Sequence, residues 1–144
     1  MAPQSSSVSQ FPFAEVSAVT ARGAGTFDAL VNPEWTIAGK PNGGYLLAML
    51  GRAAASVSAH DHVIAASAHY LHAPTPGPVV IEAERLRDGR SASQIRARLS
   101  QDGEACIEAL LTASELHADT APYWDRGLPQ ILSLIHISEP TRQA

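Results

Sequence analysis

Residues 40–58, KPNGGYLLAMLGRAAASVS, constrain the fold of this chain more than any other segment. Asn42 is a favourable N-cap residue because its side-chain oxygen can accept a hydrogen bond from a free amide one turn into a helix. From residue 45 to residue 57 the side chains are apolar or small on almost every face, and Arg52 is the one charge. A helix that is apolar all round is typically buried. The segment therefore predicts a long central helix that the rest of the chain wraps.

Three consecutive strands are predicted after the helix, over residues 79–87, 91–99 and 105–113. Asp88-Gly89 and residues 101–103 separate them, and short glycine-containing segments of this kind are typical of hairpin turns. Apolar and polar residues alternate in the middle strand, which predicts an antiparallel sheet with one buried and one solvent-facing side. The apolar set is Ile95, Ala97 and Leu99, and the polar set is Gln94, Arg96 and Arg98.

Further strand-like runs lie on both sides of the helix. Residues 14–21 and 26–31 flank a predicted hairpin turn at residues 22–25. Residues 63–71 form an alanine-rich run that follows the helix. These runs add enough strands to complete a sheet.

The first of the three consecutive strands is expected to coil. Ile81 and Leu86 fall on opposite sides of a regular strand, so we expect a β-bulge near Glu84. A coiled antiparallel sheet can wrap one long helix. The elements together predict an α+β protein with the hot-dog fold, in which a curled antiparallel sheet is wrapped around one long central helix.

Composition narrows the classes of function. The chain has 144 residues, which suits one domain, and its net charge of -4 argues against nucleic acid or an acidic membrane as a partner. Cys106 is the single cysteine and cannot form an internal disulfide, which indicates a reducing, cytoplasmic location. Neither a signal peptide nor an apolar run of the roughly 20 residues that span a membrane is recognised.

Several blocks of the sequence resemble acyl-CoA thioesterases. They are Trp35 with PNGGY at residues 41–45, SAHYL at 67–71, PGPV at 76–79 and LRDGRS at 86–91. Their order and spacing are most similar to the N-terminal half of type II, medium-chain acyl-CoA thioesterases of the actinobacterial kind. The resemblance implies a double hot-dog protein, in which two such halves pack as a pseudo-dimer and hydrolyse the thioester of acyl-CoA without metal or cofactor.

The same resemblance divides the chain. We interpret residues 1–12 as a disordered polar tail, residues 13–116 as the first hot-dog domain and residues 117–130 as a linker. Residues 131–144 include LSLIHISEPTR, which resembles the translation of a sequencing adapter and is interpreted as a non-native tail. A genuine C-terminal strand is the alternative for this segment. The second hot-dog half is expected to be missing from this chain.

The predicted substrate site lies at the start of the central helix. Backbone amides at a helix N-terminus can polarise a thioester carbonyl, because they point outward at the positive end of the helix dipole. Gly43 and Gly44 would allow the carbonyl to approach, Asn42 would orient water or substrate, and Tyr45 follows them. Tight packing of helix against sheet is the equal alternative for the two glycines.

No catalytic residue is assigned. Single hot-dog thioesterases carry an Asp or Glu about two turns into this helix, where the present chain has Leu50, Gly51 and Arg52. Gly51 and Arg52 cannot act as a general base at neutral pH. In the resembled double hot-dog enzymes the catalytic Asp lies in the C-terminal half, so this chain is expected to be inactive alone.

Other histidines are weaker candidates for function. His60 and His62 flank Asp61 without an obvious third ligand, so solvated loop histidines are favoured over a metal site. His69 shares the parity of Val63 and Ala65, which predicts a buried side chain. Lining of an acyl tunnel keeps His69 among the candidate substrate-binding residues.

Arginines and Cys106 complete the candidates. Arg90 is included among the substrate-binding residues as a contact for the phosphates of coenzyme A. Simple exposure to solvent is the favoured alternative for all the strand and turn arginines, which are Arg87, Arg90, Arg96 and Arg98. Cys106 has no histidine near it in sequence and is not predicted to be a nucleophile.

The sequence thus predicts the N-terminal half of an acyl-CoA thioesterase. Its partners would be acyl-CoA and either the missing C-terminal half or a second copy of the chain. A hot-dog module that binds acyl chains or serves only in assembly is the alternative, and the absence of a carboxylate from the helix favours it.

Overall fold

The computed structural model describes residues 12–127. Helix α1 (Pro12–Val16) precedes strands β1 (Val19–Gly23) and β2 (Thr26–Val31). A 3-10 turn (Pro33–Trp35) and the short strands β3 (Thr36–Ile37) and β4 (Lys40–Pro41) lead into helix α2 (Gly43–Val57). Four long strands follow, which are β5 (His62–Tyr70), β6 (Gly77–Asp88), β7 (Ser93–Gln101) and β8 (Glu104–Ser114).

The long strands and the first hairpin form one six-stranded antiparallel sheet, in the order β1-β2-β6-β7-β8-β5. The sheet curls, and α2 packs against its concave side. This arrangement confirms the predicted fold class. Strand β5, which follows the helix directly, lies at one edge of the sheet, and β1 lies at the other.

Helix α2 begins where the sequence predicts. The Asn42 side-chain oxygen accepts hydrogen bonds from the amides of Gly44 and Tyr45, at 2.9 and 3.2 Å. The helix ends at Val57, where the extended Ser58 donates its amide to the Ala55 carbonyl. Capping of both ends is therefore local and readable from the sequence.

The prediction that this helix is buried on every face is wrong. Its buried residues follow the i, i+3, i+4 spacing of one face and are Tyr45, Leu46, Met49, Leu50, Ala53 and Ala54. Gly44, Arg52 and Ser56 on the opposite side are exposed. The sheet of this chain covers only one side of α2, and the exposed side carries small and polar residues rather than a second apolar face.

The segment 14–21 was expected to be a strand, but its first part is helical. Tertiary contacts to α2 favour this helix: the Arg52 guanidinium donates to the Ala14 carbonyl at 2.6 Å and to the Ser17 hydroxyl at 3.1 Å. Ser17 in turn donates to the Phe13 carbonyl at 2.7 Å. Arg52 therefore holds α1 against α2, and the strand starts only at Val19.

The alternating pattern of β7 is confirmed. Ile95, Ala97 and Leu99 are fully buried against α2. On the opposite, convex face Arg96 pairs with Glu84 and Arg98 pairs with Glu108. These ion pairs leave the convex face charged and solvated, which agrees with the solvated alternative for the two arginines.

Three register shifts interrupt the pairing of the long strands, and one of them lies where β7 pairs with β8. The bulge expected near Glu84 occurs slightly later, where the register with β7 shifts between Arg85 and Arg87. A second bulge, not predicted, shifts the register of β5 between Val63 and Ala65. One inserted residue turns every later side chain of a strand to the other face.

Several sequence predictions lie wholly or partly outside the described residues. They are the tail at residues 1–12, of which only residue 12 is described, the end of the linker at 117–130 and the non-native tail at 131–144. Between residues 12 and 127 no helix is long and apolar enough to cross a membrane. Residues 117–127 contain neither helix nor strand.

Candidate functional site

A cleft of about 220 Å³ lies beside the first turn of α2. Pro41, Gly43 and Leu46 form the helix side of the cleft, and residues 70–74, which leave the end of β5, form the other side. The lining is mostly apolar, and the Tyr70 hydroxyl and the His72 imidazole are its polar side-chain groups. Such a cleft suits an apolar group attached to a polar one.

Tyr70 packs directly on the start of the helix. Its hydroxyl donates to the Gly43 carbonyl at 2.8 Å. A Cβ added to Gly43 would lie 3.2 Å from the Tyr70 ring, which is closer than an ordinary van der Waals contact. Burial raises the pKa of the Tyr70 hydroxyl above its ordinary value. The packing alternative for Gly43 therefore has direct support.

The Asn42 cap determines which amides remain for a ligand. The amides of Gly44 and Tyr45 already donate to Asn42. For the Gly43 amide we find no acceptor within the described part of the chain. Gly43 is therefore the residue whose amide could donate to a bound carbonyl, whereas Asn42 acts first as a cap.

Tyr45 lies beneath this turn and has a structural environment. Its side chain is buried, and its hydroxyl donates to the Val16 carbonyl at 2.7 Å and accepts from the Asn32 amide at 3.1 Å. The ring packs against Phe13 and Trp35, with centroids 6.3 and 5.6 Å away. These contacts join α1, the loop after β2 and the start of α2 into one support for the cleft.

His69 and Arg90 lie away from the other candidates. The expectation of a buried His69 is wrong: the bulge in β5 turns it to the exposed convex face, opposite Glu108 of β8. Arg90 is exposed in the turn between β6 and β7, and its carbonyl lies 3.3 Å from a ring nitrogen of His60, beyond the far end of α2. Four of the six predicted site residues thus meet at the start of α2, and these two do not.

His60 also differs from expectation, because it is buried rather than solvated. Its Nδ1 atom lies 2.8 Å from the Ser93 hydroxyl, which donates to the Asp88 carboxylate at 2.5 Å. His62 is exposed and lies 3.8 Å from Glu115. Residues 12–127 contain no group of three or more side chains placed to hold a metal ion.

Tyr70 and His72 were not selected from the sequence, although both line the cleft. The His72 Nε2 atom lies 3.8 Å from a Glu104 carboxylate oxygen, and both side chains are more than half exposed. The motif SAHYLHAP contained both residues. The residues of this motif carry no signal that the end of β5 lies beside the first turn of α2.

Other hollows of the surface do not involve this turn. One of about 460 Å³ lies between α1 and the first hairpin and includes the carboxylates of Glu15 and Asp28. Another of about 260 Å³ lies on the convex face beside His69 and Leu110. Of the hollows in the described region, the cleft joins apolar walls to the start of the long helix, and we take it as the candidate site.

Comparison with known protein families identifies one family that this chain matches. The model of the acyl-CoA thioesterase N-terminal domain matches residues 31–114, which is more than half of the chain. The chain belongs to the acyl-CoA thioesterase family. The matched residues run from the end of β2 to the end of β8 and include α2 and the cleft.

Solved structures agree on the fold. A Thermobifida fusca protein assigned as a thioesterase II has a TM-score of 0.78 and 28% identity, over 83% of this chain and 44% of its own. An Alicyclobacillus acidocaldarius hot-dog protein of unknown function has a TM-score of 0.72 and 23% identity, over 83% of this chain and 45% of its own. A hypothetical thioesterase of Streptococcus pneumoniae, solved with coenzyme A, has a TM-score of 0.56 and 21% identity, over 67% of this chain and 83% of its own.

Curated relatives are considerably longer than this chain. Uncharacterised proteins of Mycobacterium bovis and Mycobacterium tuberculosis are 30% identical to it over 95 residues. That segment is 62% of this chain and 33% of theirs. The chain therefore spans about a third of the curated relatives that it matches, and less than half of the Thermobifida structure.

Proposed function

We propose that this chain is the N-terminal half of a double hot-dog thioesterase and that the cleft at the start of α2 binds the thioester of acyl-CoA. One observation carries the proposal: in a domain of the thioesterase family, a helix start with a free Gly43 amide borders an apolar cleft. The Streptococcus thioesterase with the same fold was solved with coenzyme A, which supports this class of ligand.

The proposed chemistry is hydrolysis. The Gly43 amide and the positive end of α2 would draw electron density from the thioester carbonyl, and the apolar walls would take the adjoining acyl chain. Water would then attack the carbonyl carbon and give up a proton, and the carbon–sulfur bond would break. The leaving thiolate would take up a proton to become the free thiol. The products would be a fatty acid and free coenzyme A.

A general base for the attacking water is the part that this chain does not supply. No carboxylate occurs on α2, and the titratable side chains that line the cleft are Tyr70 and His72. We propose that the base belongs to the second half and that residues 13–116 alone bind substrate without hydrolysing it. His72 provides the internal alternative, because an imidazole can serve as a base near neutral pH.

The second half is proposed to pack against two open surfaces. Strand β5 is at the edge of the described sheet, and an edge strand can pair with a further strand. Ile64, Tyr70 and Leu71 of this region are each more than half exposed. We propose that a second half, or a second copy of the chain, covers these exposed apolar side chains. The cytoplasmic location stays a prediction.

A free-thiol release assay over a panel of acyl-CoA thioesters tests this function. We expect no release above spontaneous hydrolysis from the chain alone, and release from a form that includes a second hot-dog half. In that form Gly43→Val should abolish activity, because the added side chain would enter the space of the Tyr70 ring. Gly51→Ala, a change later in the same helix, is the control, because a Cβ added there would meet nothing closer than the Val63 side chain at 3.9 Å.

Two results would contradict parts of the proposal. Hydrolysis by the chain alone that disappears in His72→Ala would place the base in this half. Binding of acyl-CoA without hydrolysis in both forms would favour the second candidate, a non-catalytic acyl-binding module. The absence of a carboxylate from α2 is the observation that supports this alternative.

A further inference from the structure

We propose that Gln101 is a positioning residue of the cleft: it holds the segment that faces α2 in place and so raises the affinity for an acyl group. The inference rests on the proposed function, because it takes the acyl group to lie between the two sides of the cleft. Gln101 lies at the end of β7 and is not among the residues that line the cleft. It therefore acts through the segment that it holds.

The side of the cleft that faces α2 is mostly a connecting segment. Residues 71–76, here called the wall segment, contain neither helix nor strand, and residues 71–74 line the cleft. Prolines at positions 74, 76 and 78 leave this part of the chain with few backbone amides that can donate. Since it cannot extend the sheet, the position of the wall segment depends on contacts from elsewhere in the chain.

The Gln101 side chain contacts the wall segment through both ends of its amide group. Its oxygen accepts from the Thr75 backbone amide at 2.8 Å and from the Thr75 hydroxyl at 3.2 Å. Its nitrogen donates to the Thr75 carbonyl at 2.9 Å and to the Pro78 carbonyl at 3.2 Å. One side chain thus bonds both backbone groups of Thr75, as a neighbouring strand would.

Gln101 is itself carried by a well-defined hairpin. It directly precedes the turn between β7 and β8, in which Asp102 and Gly103 have positive φ angles of 51° and 80°. A two-residue turn with two positive φ angles matches the twist of the flanking strands. The hairpin therefore gives Gln101 a fixed place from which to hold Thr75.

The wall segment is bonded to this hairpin at two points. At its start the amides of Leu71 and His72 donate to the Cys106 carbonyl, at 2.8 and 3.2 Å. Cys106 is the residue that the register shift between β7 and β8 leaves without a partner in β7. The second point is the pair of Thr75 and Gln101. The first point uses backbone groups, so Gln101 is the attachment that a substitution can remove.

Loss of the second attachment has a defined effect on binding. The wall segment would then be held only where it continues β5, and a ligand would bind the fraction of molecules in which the wall is in place. One or two net hydrogen bonds determine that fraction. The apparent affinity for an acyl group should therefore fall roughly three- to tenfold.

Binding of S-hexyl-coenzyme A, a thioether that cannot be hydrolysed, tests this effect on the chain itself. We expect Gln101→Ala to weaken binding roughly three- to tenfold. Gln101→Glu keeps the length of the side chain but sets a carboxylate oxygen against the Thr75 and Pro78 carbonyls, so it should weaken binding at least as much. Gln94→Ala is the matched control and should change nothing, because this glutamine is exposed at the other end of β7.

Amide hydrogen exchange followed by NMR tests the position of the wall segment without any ligand. In Gln101→Ala the Thr75 amide loses its acceptor and should exchange with solvent roughly three to ten times faster. The Ile95 amide, in the middle of β7, should keep its rate of exchange. A general loss of stability would raise both rates, so the comparison separates positioning from destabilisation.

The possible outcomes are distinct. Unchanged exchange at Thr75 in Gln101→Ala would overturn the inference. Faster exchange with unchanged affinity for the thioether would also overturn it, because the wall would then not affect binding, and the proposed function would stand. If the unsubstituted chain binds no thioether, the proposed function fails and the inference fails with it. If circular dichroism shows that Gln101→Ala does not fold, Gln101→Glu replaces it, and unsubstituted affinity in that variant would overturn the inference.

Discussion

Loss of one hydroxyl group at Tyr45 should destabilise the domain more than the same change at either other tyrosine. The chain has three tyrosines, so Tyr→Phe can be compared at all of them. The Tyr45 hydroxyl is buried and has three backbone partners: it donates to the Val16 carbonyl, with a longer contact to the Leu30 carbonyl, and accepts from the Asn32 amide. Tyr70 is half exposed and bonds the Gly43 carbonyl, and Tyr123 is fully exposed.

The size of each loss in stability depends on which backbone groups remain without a hydrogen-bond partner when the hydroxyl is removed. A hydrogen bond contributes about 0.5–1.5 kcal/mol net, and a buried backbone group without a partner costs about 1–3 kcal/mol. Tyr45→Phe removes the shared donated bond and the accepted bond together and should lower the free energy of unfolding by about 2–3 kcal/mol. For a domain of roughly a hundred residues this corresponds to a fall in Tm of about 8–20 °C. Tyr70→Phe should cost less than about 1 kcal/mol, because water can replace its bond.

Thermal and urea unfolding of the three variants at one fixed protein concentration measures these differences. A fixed concentration is needed because self-association would raise the apparent stability. Tyr123→Phe should be indistinguishable from the unsubstituted chain. A Tyr45→Phe variant within about 0.5 kcal/mol of the unsubstituted chain, or a Tyr70→Phe variant less stable than Tyr45→Phe, would refute the assignment of Tyr45 as the bonded support of the cleft.

Three further changes test the local chemistry. Asn42→Ala should lower the free energy of unfolding in urea by about 1 kcal/mol. Asn42→Asp should not lower it, because a carboxylate also caps the helix and faces its positive end. Equal losses in the two variants would argue against capping. Burial raises the pKa of the Cys106 thiol, so iodoacetamide should alkylate the folded chain at least about tenfold more slowly than the urea-unfolded chain, and equal rates would contradict this burial. The pKa of Tyr70 is raised in the folded chain, so the unfolded chain loses this proton first above about pH 10 and stability falls there. Tyr70→Phe should weaken that fall, as alkaline melts followed by tyrosine absorbance would show.

Short-range patterns predicted much of the fold. Asn42 and the glycines after it marked the start of α2 within a residue, because capping involves only neighbouring groups. Alternation around Ile95 and Arg96 placed the faces of β7 correctly, because successive side chains of a strand point to opposite sides. Both signals are local and do not depend on what packs against them.

Long-range contacts decided the remainder. Ala14 lies in a short helix whose contact with α2 is made by Arg52, far along the chain, which donates to the Ala14 carbonyl. His69 faces solvent because one inserted residue in β5 reverses its side, and β8 determines that register. His60 is buried, and its hydrogen-bond partner there is Ser93, at the start of β7. None of these partners is near in sequence.

The candidate site divides in the same way. The sequence by itself predicted a capped, glycine-started helix, whereas the structure showed that the cap takes the Gly44 and Tyr45 amides and leaves that of Gly43. Tertiary structure alone decided that Tyr70 and His72 face that amide across a cleft, and that His69 and Arg90 lie elsewhere. A helix start needs only its own neighbours, whereas a cleft needs two segments that the sheet brings together. This is why the sequence predicted one wall of the site and the fold supplied the other.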